Sequence, residues 1–338
     1  MVSERVRDVW GHNLHQELGF ISELCKKSCN FVFLDAEFPG SEEEIYSALK
    51  YNVDRMKLIQ LGITLTNEES YASWQFNMKD FDPRVDDCSE ASIEFLKKSG
   101  IDFGKNLRDG VSADVLSKGL VENSLLRGGE GLKWITFHGM YDLAYLIKIV
   151  YGQTPLPDTL AGFLRLVRKL FGTRVYDLKH MAKEYDASLS EVGLVKLSRV
   201  LEIEWTGSSH QAGHDSLLTA MAFWKMKREF PDFDEGKHAG ILYGFEEHGK
   251  RESGNIVMLF NPVALASIAL SRQSCAPLAP FRRAPRLYAY RGLFPPGCGP
   301  VPGPPFAYRG GFPAGYHPIP SPYGYWAAPP QPSPFVSV

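Results

Sequence analysis

The chain has 338 residues, 44% hydrophobic and 22% charged, with a formal net charge of −2. That length and composition suit one large globular domain or two smaller ones. They exclude a uniformly basic nucleic-acid surface.

Ser3, followed by Val6, Trp10, Leu14, Leu18, Ile21 and Leu24 at helical spacing, predicts a capped helix over 4–25. This N-terminus is charged and lacks the apolar core of a signal peptide. FVFL (31–34) reads as a buried strand. KLIQLGITLTN (57–67) and SWQFNM (73–78) predict two more strands, with NEES as the turn between them. Helices are predicted near 89–99 and 112–126, then a buried strand over 133–137 and a helix over 141–152. Segments 159–172, 178–185 and 191–203 read as helices, with a short strand at 174–177. Residues 214–230 predict a long amphipathic helix. A strand meander followed by mixed strands and helices predicts an α/β domain with a mixed sheet.

The C-terminal region differs in kind. The run IVMLFNPVALASIAL (256–270) is 15 residues long and broken by Asn261-Pro262, too short for a membrane span. Residues 271–338 hold 17 of the 23 prolines and 12 aromatics, a composition expected to be disordered. We therefore expect a folded domain over 1–248 and a low-complexity Pro/Gly/aromatic/Arg tail over 249–338. From Ser253 onward there are six arginines and no Asp, Glu or Lys, which leaves −8 on residues 1–252. A body of that sign acting on a polyanion needs cations or a local basic patch to offset repulsion. Five cysteines (Cys25, Cys29, Cys88, Cys275 and Cys298), odd in number and without a CxxC pair, point to reduced thiols in the cytosol or nucleus.

Three stretches carry candidate chemistry. In FVFLDAEFPG, Asp35 and Glu37 are two apart, so a strand aims both at one side while Ala36 points away. The alternative is a strand end with two solvated acids. In KWITFHGMYDLAYLIKI a buried strand runs through a polar turn to Asp142 at a helix start, where an acid also serves as a dipole or capping residue. In SSHQAGHDSLLTAM, His210 and Asp215 are five apart, about 140° on a continuous helix. A loop entering a helix near Gly213 lets both face one cleft. Zinc held by His210 and His214 is the rival, but no HExxH glutamate or third soft ligand accompanies them. Four oxygen donors suit Mg²⁺ or Mn²⁺, and two such ions about 3.5–4 Å apart form the clamp used in phosphoryl transfer. An imidazole, with an ordinary pKa of about 6.5, suits a base near neutral pH. Phe38 and His138 flank the acids and are candidates for contact with a terminal nucleotide, the alternative being core and turn residues.

LDAEFPG, TFHGMYDLAYLIKI and SHQAGHDSLLTAMAFWKM together resemble the three exonuclease motifs of DEDDh-type 3′→5′ exonucleases. More narrowly they resemble the CCR-associated factor one / Pop-two deadenylases of the CCR–NOT complex. VWGHNL, NVDRMKLIQLGITLTN, ASWQFN, VYDLKHM and LYGF extend the likeness over about residues 5–245. The resemblance implies an RNase H-like fold and removal of poly(A) from mRNA 3′ ends, releasing AMP with two Mg²⁺ or Mn²⁺ ions. It implies Asp35, Glu37, Asp142 and Asp215 as metal ligands and His210 as general base. It also implies docking on the NOT scaffold subunit beside a second, unrelated deadenylase, with cytoplasmic and nuclear location and no membrane association.

The chain departs from that pattern in places. Ala36 replaces the usual Thr and is expected to face away from the site. His214 stands where a small residue is usual and is expected to crowd the site or add a contact. The segment after Gly40 is shorter than usual, which bears on substrate grip or partner contact. The same fold acting on other RNA or single-stranded DNA, or a non-catalytic adaptor in the decay complex, are the competing readings.

Overall fold

The computed structural model describes residues 6–27, 29–40, 46–68, 70–127 and 131–245. The run 256–270, the tail over 249–338 and the segment just after Gly40 lie outside the described residues, as do Cys275 and Cys298. In chain order the elements are β1 (Arg7–Val9), α1 (Leu14–Lys27), β2 (Phe31–Glu37), α2 (Tyr46–Arg55), β3 (Gln60–Thr66) and β4 (Tyr71–Asn77). Then come α3 (Glu90–Lys98), α4 (Phe103–Asp109), α5 (Ala113–Glu122), α6 (Ser124–Arg127), β5 (Lys133–Thr136), α7 (Met140–Val150) and α8 (Leu160–Phe171). β6 (Val175–Asp177), α9 (Leu178–Tyr185), α10 (Leu194–Val200) and α11 (Ala212–Glu229) complete the fold.

The six strands form one mixed sheet in the order β1-β4-β3-β2-β5-β6. β2, β3 and β4 are antiparallel neighbours, whereas β2–β5, β5–β6 and β1–β4 pair in parallel. With helices on both faces this is an RNase H-like fold. Strand periodicity divides β2 between two cores. Val32, Leu34 and Ala36 join the cluster formed with α1, α2, α5, α7 and α8. Phe31 and Phe33 join the opposite cluster with α9, α10 and α11. Ala36 thus faces away from the acids, and Asp35 and Glu37 continue the face of Phe31 and Phe33. α7 is buried all round, so it reads as apolar apart from Asp142 and Lys148. Lys148 Nζ donates to the carbonyls of Val53, Asp54 and Met56 at 2.6, 3.3 and 3.1 Å, closing the C-terminal end of α2 with a buried cation.

The expected helix over 4–25 is divided. Arg7–Val9 is an edge strand paired with Trp74–Phe76, and the helix starts at Leu14. Gly11, His12 and Asn13 form the intervening turn, where Asn13 Oδ1 accepts the Trp10 N–H at 2.7 Å. Glu17 then fastens the strand to the sheet, accepting from Arg7 Nε and Trp74 Nε1, both at 2.8 Å. Apolar residues at helical spacing met the burial needs of the edge strand and of α1 equally well. The short helices α2 and α4 were also missed, and α10 is shorter than its pattern. Among the described residues no helix is long and apolar enough to cross a membrane.

α11 rests on β3 with almost no spacing. A Cβ at Gly62 would overlap the Ala212 carbonyl in the first turn of α11. Thr64 Oγ1 reaches Ser73 Oγ at 2.8 Å and Ser216 Oγ at 2.9 Å in the same seam. Gly62→Ala should therefore destabilise by about 3 kcal/mol or more, because backbone must move. Gly19→Ala, on α1 with open space around it, should stabilise by about 0.5–1 kcal/mol. Urea unfolding of both variants checks the contrast.

Candidate active site

The site forms at the C-terminal end of β2, where that strand and the loop entering α11 bring polar side chains together, while Asp142 of α7 is outside the close group. On β2, Asp35 and Glu37 are half-buried and lie opposite Gly62 and Gln60 of β3. The bare Gly62 leaves room for the start of α11, so the acids and that helix meet on one face. Among the described residues, Glu37, His210 and Asp215 each offer a ligand atom within 4.8 Å of the others. Asp35 is on the same strand face but outside that tight group. Asp142, 5% exposed, is in the first turn of α7, which packs on β2. Neither Asp142 nor Asp215, 8% exposed, faces bulk solvent.

A buried amide network sets the start of α11. Gln60 Oε1 accepts the Ala212 N–H at 3.2 Å and Gln75 Oε1 the Gly213 N–H at 3.1 Å. Gln211 Oε1 accepts from Gln60 and Gln75 Nε2 at 3.0 and 2.9 Å, while its own amide donates to the Ser99 carbonyl at 2.9 Å. Side chains of β3 and β4 thus cap the helix in place of its own N-cap residue. His210 precedes it on the loop in the left-handed region, φ +62°, and its N–H donates to Asp215 Oδ2 at 2.8 Å. The His210 ring stands edge-on to Phe95, 4.4 Å between centroids. His210 is an exposed residue, and partial desolvation of its ring lowers the imidazole below its ordinary value, which favours the neutral form.

Asp215 Oδ1 is buried with no hydrogen-bond partner. Desolvation pushes this carboxyl up to about 7, against the pull of the His210 and Gln211 backbone N–H groups. An unpaired buried oxygen beside a second carboxylate is a donor pair suited to a hard divalent cation, with the imidazole alongside. His214, in contrast, turns toward Trp205, 6.1 Å between rings, and buries Nδ1 without a partner. It is not in the close group with His210, so the geometry gives no support to the zinc pair.

The turn before α7 is held from β6. Asp177 accepts the His138 N–H at 2.9 Å and the Gly139 N–H at 3.1 Å. His138 is half-buried at φ +61°, with its ring edge-on to Tyr243 at 5.1 Å. Phe38 corrects an expectation. It is 8% exposed and stacked on Tyr141, 4.7 Å and 7° between rings, so it packs the site floor and offers no open face to a base. Phe95, 48% exposed beside His210, was not legible as a site residue, because its helical pattern marked only a surface position. Asp177 and the glutamines were not legible either, since their roles depend on strand register.

The mixed sheet with helices on both faces defines the RNase H-like class of fold. The CAF1 family ribonuclease model matches residues 9–113 and 119–223. The chain belongs to that family. A probable CCR4-associated factor 1 homolog 7 of Arabidopsis thaliana is 38% identical, over 75% of this chain and 97% of its own length. Homolog 10 of the same plant is 37% identical over 71% and 91%. Among solved structures, S. pombe Pop2p in its Mg²⁺- and Mn²⁺-bound form shares 35% identity and a TM-score of 0.65, covering 71% of this chain and 99% of that one. CAF1 co-crystallised with the yeast NOT1 MIF4G domain shares 28% identity and a TM-score of 0.61, covering 71% and 96%.

The proton on Asp215 favours the metal-free folded state. Its stabilising effect is full below about pH 4 and is lost as pH rises through about 7. In chelator, Asp215→Asn should be more stable than the wild type at about pH 8 and nearly equal to it at about pH 4. Thermal melts across that range decide it.

Proposed function

We propose that the protein is a 3′→5′ exoribonuclease that shortens poly(A) and releases AMP with two divalent ions, Mg²⁺ or Mn²⁺. The observation that carries this is the convergence of Glu37, His210 and Asp215 around an unpartnered buried carboxylate oxygen in a chain of a ribonuclease family. Pop2p, a relative with bound Mg²⁺ and Mn²⁺, supports the metal reading. The choice of poly(A) rests on the motif resemblance.

Asp35, Glu37, Asp142 and Asp215 would hold the ions. When bound, such ions lower the pKa of water and neutralise charge on the scissile phosphate. They also offset the −8 of residues 1–252 against the RNA backbone. His210 accepts the proton of the attacking water, and its depressed pKa keeps it ready to do so at neutral pH. Phe95 and the Asp215 carboxylate limit where the His210 ring and backbone can go. The proton then reaches the departing 3′ oxygen of the shortened RNA. His138 is the remaining proposed substrate contact.

The assembly reading has the NOT scaffold subunit and a second deadenylase as partners, in cytoplasm and nucleus. The CAF1 relative crystallised with NOT1 supports the scaffold part of this reading, and the second deadenylase and the location rest on the motif resemblance.

Digestion of oligo(A), oligo(U) and single-stranded DNA in Mg²⁺ and in Mn²⁺ tests the substrate choice. AMP should leave oligo(A) fastest. Asp35→Ala should abolish release while circular dichroism stays native, and normal degradation by this variant defeats the site assignment. His210→Ala should slow release by about 10²–10⁴-fold without loss of Mn²⁺ binding.

A further inference from the structure

Asp177 is fully buried at the end of β6, and among the described residues it forms no ion pair. Its charge is met by main-chain N–H groups from three segments. Oδ1 accepts from His138, Lys179 and His180 at 2.9, 3.0 and 3.5 Å, and Oδ2 accepts from Gly139 and Tyr243 at 3.1 and 3.3 Å. The bonds from Lys179 and His180 are an ordinary cap on α9. A cap needs no more than these. The bonds to His138 and Gly139 reach across to the turn that launches α7.

That turn is a conformation the chain would not adopt unaided. His138 has a positive φ, uncommon for a residue with a Cβ. Gly139 lies so close to Thr136 that a Cβ there would overlap its side chain. Gly139 is also the N-cap of α7 and has no capping side chain. Three residues further on is Asp142. The carboxylate of Asp177 therefore determines where α7 begins, and through it where Asp142 points.

We propose that Asp177 is a positioning residue that fixes the Asp142 carboxylate for divalent-ion binding, acting through the His138–Gly139 turn. This rests on the reading of Asp142 as a metal ligand. Asp177→Asn keeps the shape but replaces one acceptor by an NH₂ that opposes the N–H groups on that side. Asp177→Ser keeps an oxygen suited to capping α9 and loses the reach to the turn. It separates the two roles if the asparagine variant fails to fold. Leu18→Ala, in the α1 core away from this turn, controls for general loss of stability.

Calorimetric Mn²⁺ titration of the full chain, at a temperature where circular dichroism shows each variant folded, is the readout. Asp177→Ser and Asp177→Asn should weaken Mn²⁺ binding at least tenfold or remove one of two sites. Leu18→Ala should stay within twofold of the wild type even if its Tm falls as far. If Asp142→Ala loses Mn²⁺ while both Asp177 variants bind it normally, the positioning role is wrong and the metal site stands. If Leu18→Ala loses as much affinity as the Asp177 variants, the effect is only stability and the proposal also fails. Wild-type protein that binds no Mn²⁺, or Asp142→Ala that binds it fully, overturns the metal reading and this proposal with it.

Discussion

Contact of the α11 backbone with β3 at Gly62 is the constraint from which the site follows. Helices usually stand off a sheet by the depth of their side chains. Here Gly62 has no side chain, and the seam around it is made of Thr64, Ser73 and Ser216. The first turn of α11 therefore lies over the very register position that pairs with Asp35. This brings Asp215 and the preceding His210 down to Glu37. A single bulky residue at 62 would lift the helix and open the cluster.

Such proximity has a cost. Asp215 is desolvated, one oxygen has no partner, and a second carboxylate is close by. The protein offsets this with amide and main-chain donors placed by the sheet. Gln60 and Gln75 fix the helix start, Gln211 joins them to the end of α3, and the His210 N–H holds one Asp215 oxygen. The amides are neutral, so they fix geometry without consuming the negative charge that a cation needs. α3 is tied to the other acids as well, since the Ser89 N–H and Ser92 hydroxyl donate to the carbonyls of Pro39 and Gly40. One short helix thus bridges the loop that follows Glu37 and the loop that bears His210.

Each side of the site has its own anchor. The amide network serves α11, the antiparallel β2–β3 register serves Asp35 and Glu37, and Asp177 serves the turn into α7. The two histidines with positive φ, His138 and His210, are in the loops that precede α7 and α11. Both are held by an N–H bond to a buried aspartate. Backbone strain of this kind persists where surrounding contacts over-determine the conformation, and here a carboxylate supplies that contact in both cases.

Much of this was legible from local pattern. The period of two in β2 placed Asp35 and Glu37 on one face and Ala36 on the other, because alternation is a property of the strand itself. Gly213 and the polar run before it marked a loop entering a helix, so His210 and Asp215 were correctly kept apart in secondary structure. The order of strands and helices along the chain also indicated a mixed α/β sheet. What tertiary structure decided were the matters of register and neighbour. Val6 and Trp10 fit a helical pattern, yet Arg7–Val9 joined the sheet because β4 offered a free edge and Glu17 an anchor. Phe38 turned inward onto Tyr141, and Asp177, which ends a short strand, became the hub of three segments. Hydrogen-bond partners tens of residues distant leave no period in the sequence. Only the assembled sheet, which fixes who stands opposite whom, could reveal them.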